Sequence, residues 1–214
     1  MTDELVFYTH PMSRGRIVRW MLEEIGRPYR TELLDYGTTM KAPAYLSINP
    51  MGKVPAIRHG DTVVTEAPAI CAYLADAFPG VGLAPPPGDR RRGRYYRWLF
   101  FAAGPLEAAA INRTMGFVVP EGREMMMGYG RFDDVMNTLD GAVSQADYLV
   151  GDSFTAADLY VGSHVGFGMQ FGTIEKRPAF EQYWQRISSR PAALRASEID
   201  GPFAIPEQPP QPAR

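Results

Sequence analysis

Hydrophobic positions in the first part of the chain follow a strand period, then a helix period, then a strand period again. Residues 5–8 form a short apolar run typical of a strand. Residues 17–25 place apolar side chains on one helical face, and Gly26 and Pro28 follow as stop signals. Residues 29–34 predict a second strand. This strand–helix–strand order favours a parallel pair of strands.

The next stretch predicts a hairpin followed by a helix. Residues 56–59 and 62–65 are predicted strands on either side of Gly60-Asp61, a residue pair typical of a two-residue turn. Apolar positions then recur at helical spacing over residues 67–77. The sequence therefore predicts a compact α/β unit in the N-terminal part of the chain.

Composition changes after residue 78. Residues 79–89 are rich in Gly and Pro, as linkers between domains often are. Beyond them no strong strand alternation occurs, and helices are predicted over residues 90–101, 121–147 and 178–190. The second half of the chain is therefore expected to form an all-helical domain.

The sequence around Thr155 predicts one more helix start. Thr155 is a helix-capping residue type, and Asp158 three positions later can reach back to it, as in a capping box. With this helix added, the predicted organisation is an α/β domain over residues 1–79, a linker over 80–89, a helical domain over 90–200 and a proline-rich tail over 201–214.

Composition and charge exclude several classes of protein. The 214-residue chain has a formal net charge of −2, which gives no electrostatic case for a nucleic-acid partner. No apolar run approaches the ~20 residues that cross a bilayer, so no membrane partner is expected. Cys71 is the only cysteine, and its apolar helical neighbours predict a buried, inert thiol. We expect a reducing, cytoplasmic setting, and no metal site is predicted.

Val54-Pro55 precedes the first strand of the predicted hairpin and bears on ligand binding. Proline lacks an N–H and is confined to strand starts and edges, and an X–Pro bond is where a cis peptide costs least. A cis bond would leave the main-chain N–H and C=O of Val54 facing outward, where an extended peptide could pair with them. An ordinary trans proline at a strand edge is the alternative on local sequence alone.

Glu66, Ala67 and Pro68 lie where the predicted helix begins. Pro68 is the preferred residue type for a first helical position. The free N–H groups and the dipole of a helix start attract an anion. Glu66 could accept a hydrogen bond from a ligand ammonium group, or it could only complement the helix dipole. A ligand with an ammonium and a carboxylate on one carbon suits both groups, and the γ-glutamyl end of glutathione has that arrangement.

Three segments together resemble the cytosolic glutathione S-transferase family: NPMGKVPAI at residues 49–57, TEAPAICAYLAD at 65–76 and YLVGDSFTAADLYV at 148–161. The resemblance spans roughly residues 5–196. It implies a thioredoxin-like N-terminal domain with a helical C-terminal domain, and a homodimer. It also implies a transferase of alkyl or aryl groups that serves detoxification and uses glutathione as co-substrate.

The resemblance also implies roles for individual residues. Val54 would pair with the cysteinyl main chain of glutathione ahead of a cis Pro55, and Glu66 and position 67 would hold the γ-glutamyl end. Lys53 lies where a cation suits the glycyl carboxylate. The family usually has Ser at position 67, whereas this chain has Ala67. One hydrogen bond to a charged group is lost there, worth ~1.5–3 kcal/mol, which weakens glutathione binding by about tenfold or more.

The loop after the first predicted strand is where the family activates the glutathione thiol, with Tyr, Ser or Cys. A free thiol with a pKa of ~8.5 is only a few per cent thiolate at neutral pH, so the protein must lower that pKa. We predict Ser13 as the hydrogen-bond donor to the sulfur, with Tyr8 as second candidate and His10 as third. Ser13 is also a natural N-cap of the first helix, which is the structural alternative.

The electrophile is expected between the two domains, where ligand sites are common. Apolar residues of both halves are the predicted lining of this substrate pocket: Met12, Phe101, Ile111, Met115, Phe117 and Phe171. Aromatic and Met side chains at helical spacing are more often core, and that alternative applies to each of them.

The leading hypothesis is a glutathione transferase that activates the thiol as thiolate for attack on a small hydrophobic electrophile. One alternative is a non-catalytic glutathione-binding or scaffold protein of the same fold, which Ala67 favours. Another is a glutathione-dependent peroxidase. A cysteine-using thiol transferase would need a Cys near Ser13, and the chain has none there.

Overall fold

A computed structural model describes residues 3–203 of the chain. Its N-terminal part contains the strands β1 (Leu5–Thr9), β2 (Arg30–Leu33), β3 (Ala56–His59) and β4 (Thr62–Thr65). They form one sheet in the order β2-β1-β3-β4. β1 and β2 run parallel, whereas β3 lies antiparallel to both β1 and β4. The predicted parallel pair and the predicted hairpin are both confirmed.

The sheet is covered by α1 (Gly15–Ile25), α2 (Pro43–Leu46) and α3 (Ala67–Ala77). Side chains of β1 alternate between its two faces, as the pleat of a strand requires. Leu5 and Phe7 pack in the main core with α1 and α3, whereas Val6 and Tyr8 pack in a second cluster with Tyr45 of α2. Both faces of the sheet are therefore apolar and covered.

The C-terminal part of the described residues contains α4 (Arg92–Phe101), α5 (Glu107–Thr114), α6 (Phe132–Gln145), α7 (Ala156–Phe171), α8 (Pro178–Ser188) and α9 (Pro191–Asp200). No strand is present between residues 66 and 203. The prediction of an α/β unit followed by an all-helical part is confirmed. None of the helices within residues 3–203 has the length and apolar character needed to cross a membrane.

Two of the predicted helices have different limits in the structure. The helix predicted over residues 90–101 continues past Phe101 through a π-helical turn at Ala102–Leu106 into α5. This wider turn contains Pro105, which has no N–H to donate. The helix predicted over residues 121–147 is wrong at its N-terminal end, because α6 begins only at Phe132. Gly122 and Gly130 have φ values of 76° and 67°, which no helix interior has.

The segment predicted as a linker packs against the helical part of the protein. It contains a short 3₁₀ turn at Pro79–Val81 and a buried Leu83. The carbonyl oxygen of Leu83 accepts a hydrogen bond from the N–H of Ala156, the first residue of α7, at 2.8 Å. The exact domain limits stay a prediction, and the predicted proline-rich tail lies outside the described residues from position 204 onward.

Candidate functional site

One end of the sheet brings together three parts of the chain for which a role in ligand binding is predicted: the loop after β1, Val54-Pro55 and the start of α3. Tyr8 of β1 is paired with Ala56 of β3, and Ala56 is paired with Thr65 of β4. The loop after β1, the residues before β3 and the start of α3 therefore lie at the same edge. The register of the sheet, rather than sequence proximity, creates this arrangement.

Val54 lies at this edge, and its main-chain polar groups are not used in hydrogen bonds of the fold. The Val54–Pro55 peptide bond is cis. Neither the N–H nor the C=O of Val54 forms a hydrogen bond with another of the described residues. The C=O of Lys53, in contrast, accepts hydrogen bonds from the Tyr45 hydroxyl at 2.6 Å and from Nδ2 of Asn49 at 2.8 Å. These two contacts fix the chain just before Val54 and leave both of its polar main-chain groups available to a ligand.

α3 begins at Ala67, with Pro68 in its first turn, as the sequence predicts. The N–H groups of Ala67 and Ala69 have no main-chain partner within residues 3–203, so they can bind an anion. Glu66 has a φ of 66° and is the one non-glycine residue of the described chain with a positive φ. Such a conformation costs free energy and persists where the surrounding structure imposes it, which is frequent at ligand sites.

Two opposite charges flank this edge. Lys53 and Glu66 are both exposed, and neither forms an ion pair among the described residues. Lys53 offers a free positive charge and Glu66 a free negative charge, and the main chain of Val54 between them in the sequence is unpaired. A peptide that carries both kinds of charge can pair with these groups. The geometry can therefore accept a short zwitterionic peptide.

Ser13 is half-buried in the loop between β1 and α1. Its Oγ accepts a hydrogen bond from the N–H of Gly15 at 2.9 Å and donates one to the C=O of His10 at 2.6 Å. The Gly15 contact supports the helix start, although Arg14 is the residue that directly precedes α1. A hydroxyl has one hydrogen and two lone pairs. Ser13 can therefore keep the Gly15 contact and turn its hydrogen from His10 to a ligand sulfur.

The other two candidate donors have different surroundings. Tyr8 is buried, and its ring packs on Tyr45 with centroids 5.6 Å apart. Nδ1 of His10 accepts a hydrogen bond from the N–H of Met12 at 3.0 Å, and the His10 ring packs on Tyr36 at 4.7 Å. Neither residue lines the cavity beside Ser13. Ser13 therefore stays the predicted donor.

A cavity of about 260 Å³ lies between the loop of Ser13 and the helical part of the protein. Three predicted residues line it: Met12, Ile111 and Phe171. The structure places the other three elsewhere. Phe101 packs on Trp98 at a centroid distance of 5.2 Å. Met115 and Phe117 are each 66% exposed, because α5 ends at Thr114 and the chain then turns outward.

Several residues of this cavity were not predicted from the sequence, among them Glu107, His164 and Phe203. Glu107 forms an ion pair with Arg14 at 2.6 Å, which links the start of α5 to the start of α1. A helical pattern cannot identify these residues, because they come together only when the two halves of the chain pack.

Cys71 is fully buried in α3, as predicted. Burial raises the pKa of its thiol to about 12, so the thiol stays protonated at neutral pH. Thiolate chemistry at this site therefore requires a thiol that binds from outside.

Comparisons with known proteins agree with this geometry. Family models for the N-terminal and C-terminal domains of glutathione S-transferase match residues 12–77 and 130–191. Glutathione S-transferase F13 of Arabidopsis thaliana is 31% identical over 177 residues, which cover 73% of this chain and 77% of that protein. The chain belongs to the glutathione S-transferase family.

Solved structures of similar proteins have the same fold. A glutathione transferase from Methylococcus capsulatus str. Bath is similar with a TM-score of 0.76 at 28% identity, over 92% of this chain and 98% of that one. A sphingomonad glutathione S-transferase complexed with glutathione has a TM-score of 0.74 at 27% identity, over 91% and 98% of the two chains. The predicted thioredoxin-like domain with a helical C-terminal domain is therefore confirmed.

Proposed function

We propose that this protein is a glutathione transferase that binds glutathione at the described end of the sheet and activates its thiol for attack on a small hydrophobic electrophile. The observation that carries the proposal is the pairing of Tyr8, Ala56 and Thr65, which gathers Val54, the start of α3 and Ser13 at one edge. Family membership supports the reaction class. The sphingomonad relative, complexed with glutathione, supports the co-substrate.

Glutathione binds as a short extra strand. Its cysteinyl N–H and C=O pair with the free main-chain groups of Val54, as in other cases of edge addition. Its γ-glutamyl carboxylate binds at the N–H of Ala67, where the dipole of α3 favours an anion. Glu66 accepts a hydrogen bond from the γ-glutamyl ammonium group, and Lys53 faces the glycyl carboxylate.

Ser13 donates its hydroxyl hydrogen to the sulfur and thereby stabilises the thiolate. Lowering the thiol pKa by about two units makes the thiolate the major form at neutral pH and requires ~2.7 kcal/mol of differential stabilisation. One or two hydrogen bonds to the sulfur and the N-terminal end of α1 supply that amount. The thiol proton leaves to solvent, the thiolate forms a bond to the electrophilic carbon, and the leaving group departs with the bonding electrons.

A non-catalytic glutathione-binding protein is the second candidate. Two observations favour it: Ala67 offers no hydroxyl to the γ-glutamyl carboxylate, and the Ser13 hydroxyl hydrogen is donated to His10 at 2.6 Å. Such a protein would bind glutathione without shifting its thiol pKa.

Ser13→Ala tests the activation step and separates the two candidates. We expect the variant to bind glutathione, to lose the ultraviolet thiolate band of the bound thiol at neutral pH, and to turn over a chlorodinitrobenzene at least about tenfold more slowly. Ser47→Ala is the matched control, because Ser47 is exposed and bonds only the C=O of Ala44. Unchanged turnover in Ser13→Ala removes Ser13 from the role. A wild-type protein that binds glutathione with no thiolate band favours the second candidate.

We also propose that the protein acts as a homodimer in the cytoplasm and that its role is detoxification. Large apolar side chains exposed on the helical part support a surface for a protein partner, among them Phe100 at 73%, Val118 at 86% and Met125 at 95% exposure.

A further inference from the structure

Two side chains hold consecutive main-chain carbonyls of the loop that carries Ser13. This loop lies between the end of β1 and the start of α1 and belongs to neither element. Nε of Arg16 donates a hydrogen bond to the C=O of Pro11 at 2.6 Å, and the hydroxyl of Tyr36 donates one to the C=O of Met12 at 3.1 Å. These contacts, one from α1 and one from the segment after β2, therefore fix the path of the loop just before Ser13.

The Ser13 hydroxyl has a single hydrogen, and it cannot give that hydrogen both to the loop and to a sulfur atom. Its Oγ accepts a hydrogen bond from the N–H of Gly15 and donates its hydrogen to the C=O of His10 at 2.6 Å. The proposed thiol activation takes this hydrogen away from His10. The contacts of Arg16 and Tyr36 do not involve the Ser13 hydroxyl, so they persist when the hydroxyl turns to the sulfur.

Arg16 is also fixed at the end of α9. Its side chain is buried, and its Nη2 donates one hydrogen bond to the C=O of Gly201 at 2.7 Å and another to the C=O of Asp200 at 3.2 Å. The central carbon of its guanidinium lies 3.8 Å from the centroid of the Phe203 ring. The carboxylate of Asp200 is paired with Arg19 instead. One planar guanidinium therefore connects the loop after β1 to the end of α9.

The surroundings of these two residues indicate how they can act on a bound thiol. Burial of a charged group costs free energy unless hydrogen bonds compensate it. Burial lowers the pKa of Arg16, and the negative charge of Asp200 opposes that shift. Neither Arg16 nor Tyr36 is among the residues that line the cavity beside Ser13. Apart from the charge of Arg16, both therefore act on the sulfur only through the loop that they hold.

We propose that Arg16 and Tyr36 are positioning residues for thiol activation, because they keep Oγ of Ser13 within hydrogen-bond distance of the glutathione sulfur. This inference rests on the proposed function, in which Ser13 donates to that sulfur. Hydrogen bonds weaken steeply as their geometry departs from the optimum, and a misplacement of about 1 Å can lower a rate by about a hundredfold. Through Arg16, the end of α9 contributes to the geometry of thiol activation.

Arg16→Met tests the first contact, with the pKa of the bound glutathione thiol as readout. Titration of the ultraviolet thiolate band gives this pKa without any electrophile. We expect the variant to raise it by about 1 or more, which lowers the ratio of thiolate to thiol about tenfold at a given pH. Glutathione affinity at about pH 5, where the thiol is protonated in both proteins, is expected to change by less than about threefold.

Arg16→Lys separates position from charge. Lysine keeps the positive charge but has no planar fork that reaches two carbonyls. We expect the thiol pKa to stay raised in this variant. A return to the wild-type value would assign the effect to the charge of Arg16 and overturn its positioning role.

Arg190→Met is the matched control. Arg190 also joins the helical half to α1, because it donates two hydrogen bonds to Glu24, and its guanidinium lies 3.9 Å from the centroid of the Phe154 ring. None of these contacts involves the loop of Ser13. The control is expected to lose stability and to keep the wild-type thiol pKa. An equal rise of the thiol pKa in Arg16→Met and Arg190→Met overturns the inference, because the pKa then follows general stability.

Tyr36→Phe tests the second contact and keeps the inference testable if Arg16→Met does not fold. Tyr36 is 57% exposed, and a phenylalanine ring there can keep the packing on His10 while it loses the hydrogen bond to Met12. We expect the thiol pKa to rise by about 0.5, as the loss of one hydrogen bond suggests. An unchanged thiol pKa in Tyr36→Phe overturns the inference.

The same titrations distinguish this inference from the proposed function. A thiolate band that Ser13→Ala removes, but that Arg16→Met and Tyr36→Phe leave at the wild-type pKa, contradicts the positioning roles alone. A wild-type protein that binds glutathione without a thiolate band contradicts the proposed function, and the positioning roles with it.

Discussion

Position 67 is the residue at which this chain differs from the pattern it resembles. Ala67 has an N–H at the start of α3 that can bind a carboxylate, but it has no hydroxyl. We expect Ala67→Ser to strengthen glutathione binding by about tenfold or more, because a hydrogen bond to a charged group is worth ~1.5–3 kcal/mol. Calorimetric titration with glutathione measures the change. Ala77→Ser, at the far end of the same helix, serves as control, and equal affinities of Ala67→Ser and the control contradict the proposed pose.

His164 should make the stability of the protein depend on pH. Its pKa is lowered to about 3 in the folded protein, whereas an unfolded chain has a His pKa of about 6.5. As pH falls through this window the unfolded state binds the proton first, so folding stability falls by up to about 1.4 kcal/mol per pH unit.

The matching measurement is urea unfolding of the wild type and of His164→Phe at several pH values between about 6.5 and 3. The slope of unfolding free energy against pH is expected to be flatter in the variant, because its side chain binds no proton in either state. Equal slopes in the two proteins would show that His164 is not held neutral by its surroundings.

Single residues of the site could be predicted only where the local sequence pattern indicates their position. Val54 and Glu66 lie next to prolines at a strand start and a helix start, and these positions have few structural options. His164 carries no such signal, because a His within an apolar helix has the same sequence context in a core and in a cavity wall. The charged residues of the cavity wall, Arg14 and Glu107, lie about 50 to 150 positions away in the sequence, and only the folded chain brings them together with His164.

Among the elements, the start of α7 depends on one buried carboxylate. Asp158 accepts hydrogen bonds from the N–H of Leu149 at 2.7 Å, from the N–H and the hydroxyl of Thr155, both at 2.9 Å, and from the Tyr183 hydroxyl at 3.0 Å. Burial raises the pKa of this carboxyl, and the hydrogen bonds oppose that shift. The predicted capping box is therefore confirmed, and two further residues, Leu149 and Tyr183, also donate to Asp158.

Asp158→Ala is expected to lower the free energy of unfolding by more than about 3 kcal/mol, because several buried donors lose their acceptor at once. Asp134→Ala, at an exposed position in the first turn of α6, is expected to change it by less than about 1 kcal/mol. Denaturant titrations of the two variants compare them. Similar losses in both would mean that the buried contacts of Asp158 contribute little.

The limits of prediction at the scale of elements have a physical cause. The hairpin of β3 and β4 was predictable because Gly60-Asp61 fixes the turn and the strand pattern on each side agrees with it. The start of α6 was not, because apolar spacing continued through residues whose glycines adopt positive φ. A helical pattern also does not reveal that two arginines of α1 are buried: Arg16 and Arg19 lie against the end of α9.

For the whole molecule, α1 joins the two halves of the chain. Nε of Arg19 lies 3.2 Å from Oδ1 of Asp200 in a buried ion pair. Arg190 donates two hydrogen bonds to the carboxylate of Glu24, at 2.7 and 2.9 Å. The loop of Ser13 directly precedes α1, so the helical half holds one wall of the proposed glutathione site in position. Neither half is expected to provide the site alone.

The proposed homodimer is a prediction at the same scale. We expect sedimentation at micromolar concentration to give twice the mass of one chain, because exposed apolar side chains on the helical part are costly to leave in water. A single-chain mass under these conditions would contradict the homodimer and leave the site itself unaffected.

The most direct measurement of the central claim is a crystal structure of the protein soaked with glutathione. We expect the cysteinyl main chain to pair with Val54, the γ-glutamyl carboxylate to lie at the N–H of Ala67, and the sulfur to lie within hydrogen-bond distance of Oγ of Ser13. Glutathione bound away from this sheet edge, or with its sulfur directed away from the cavity, would contradict the central claim.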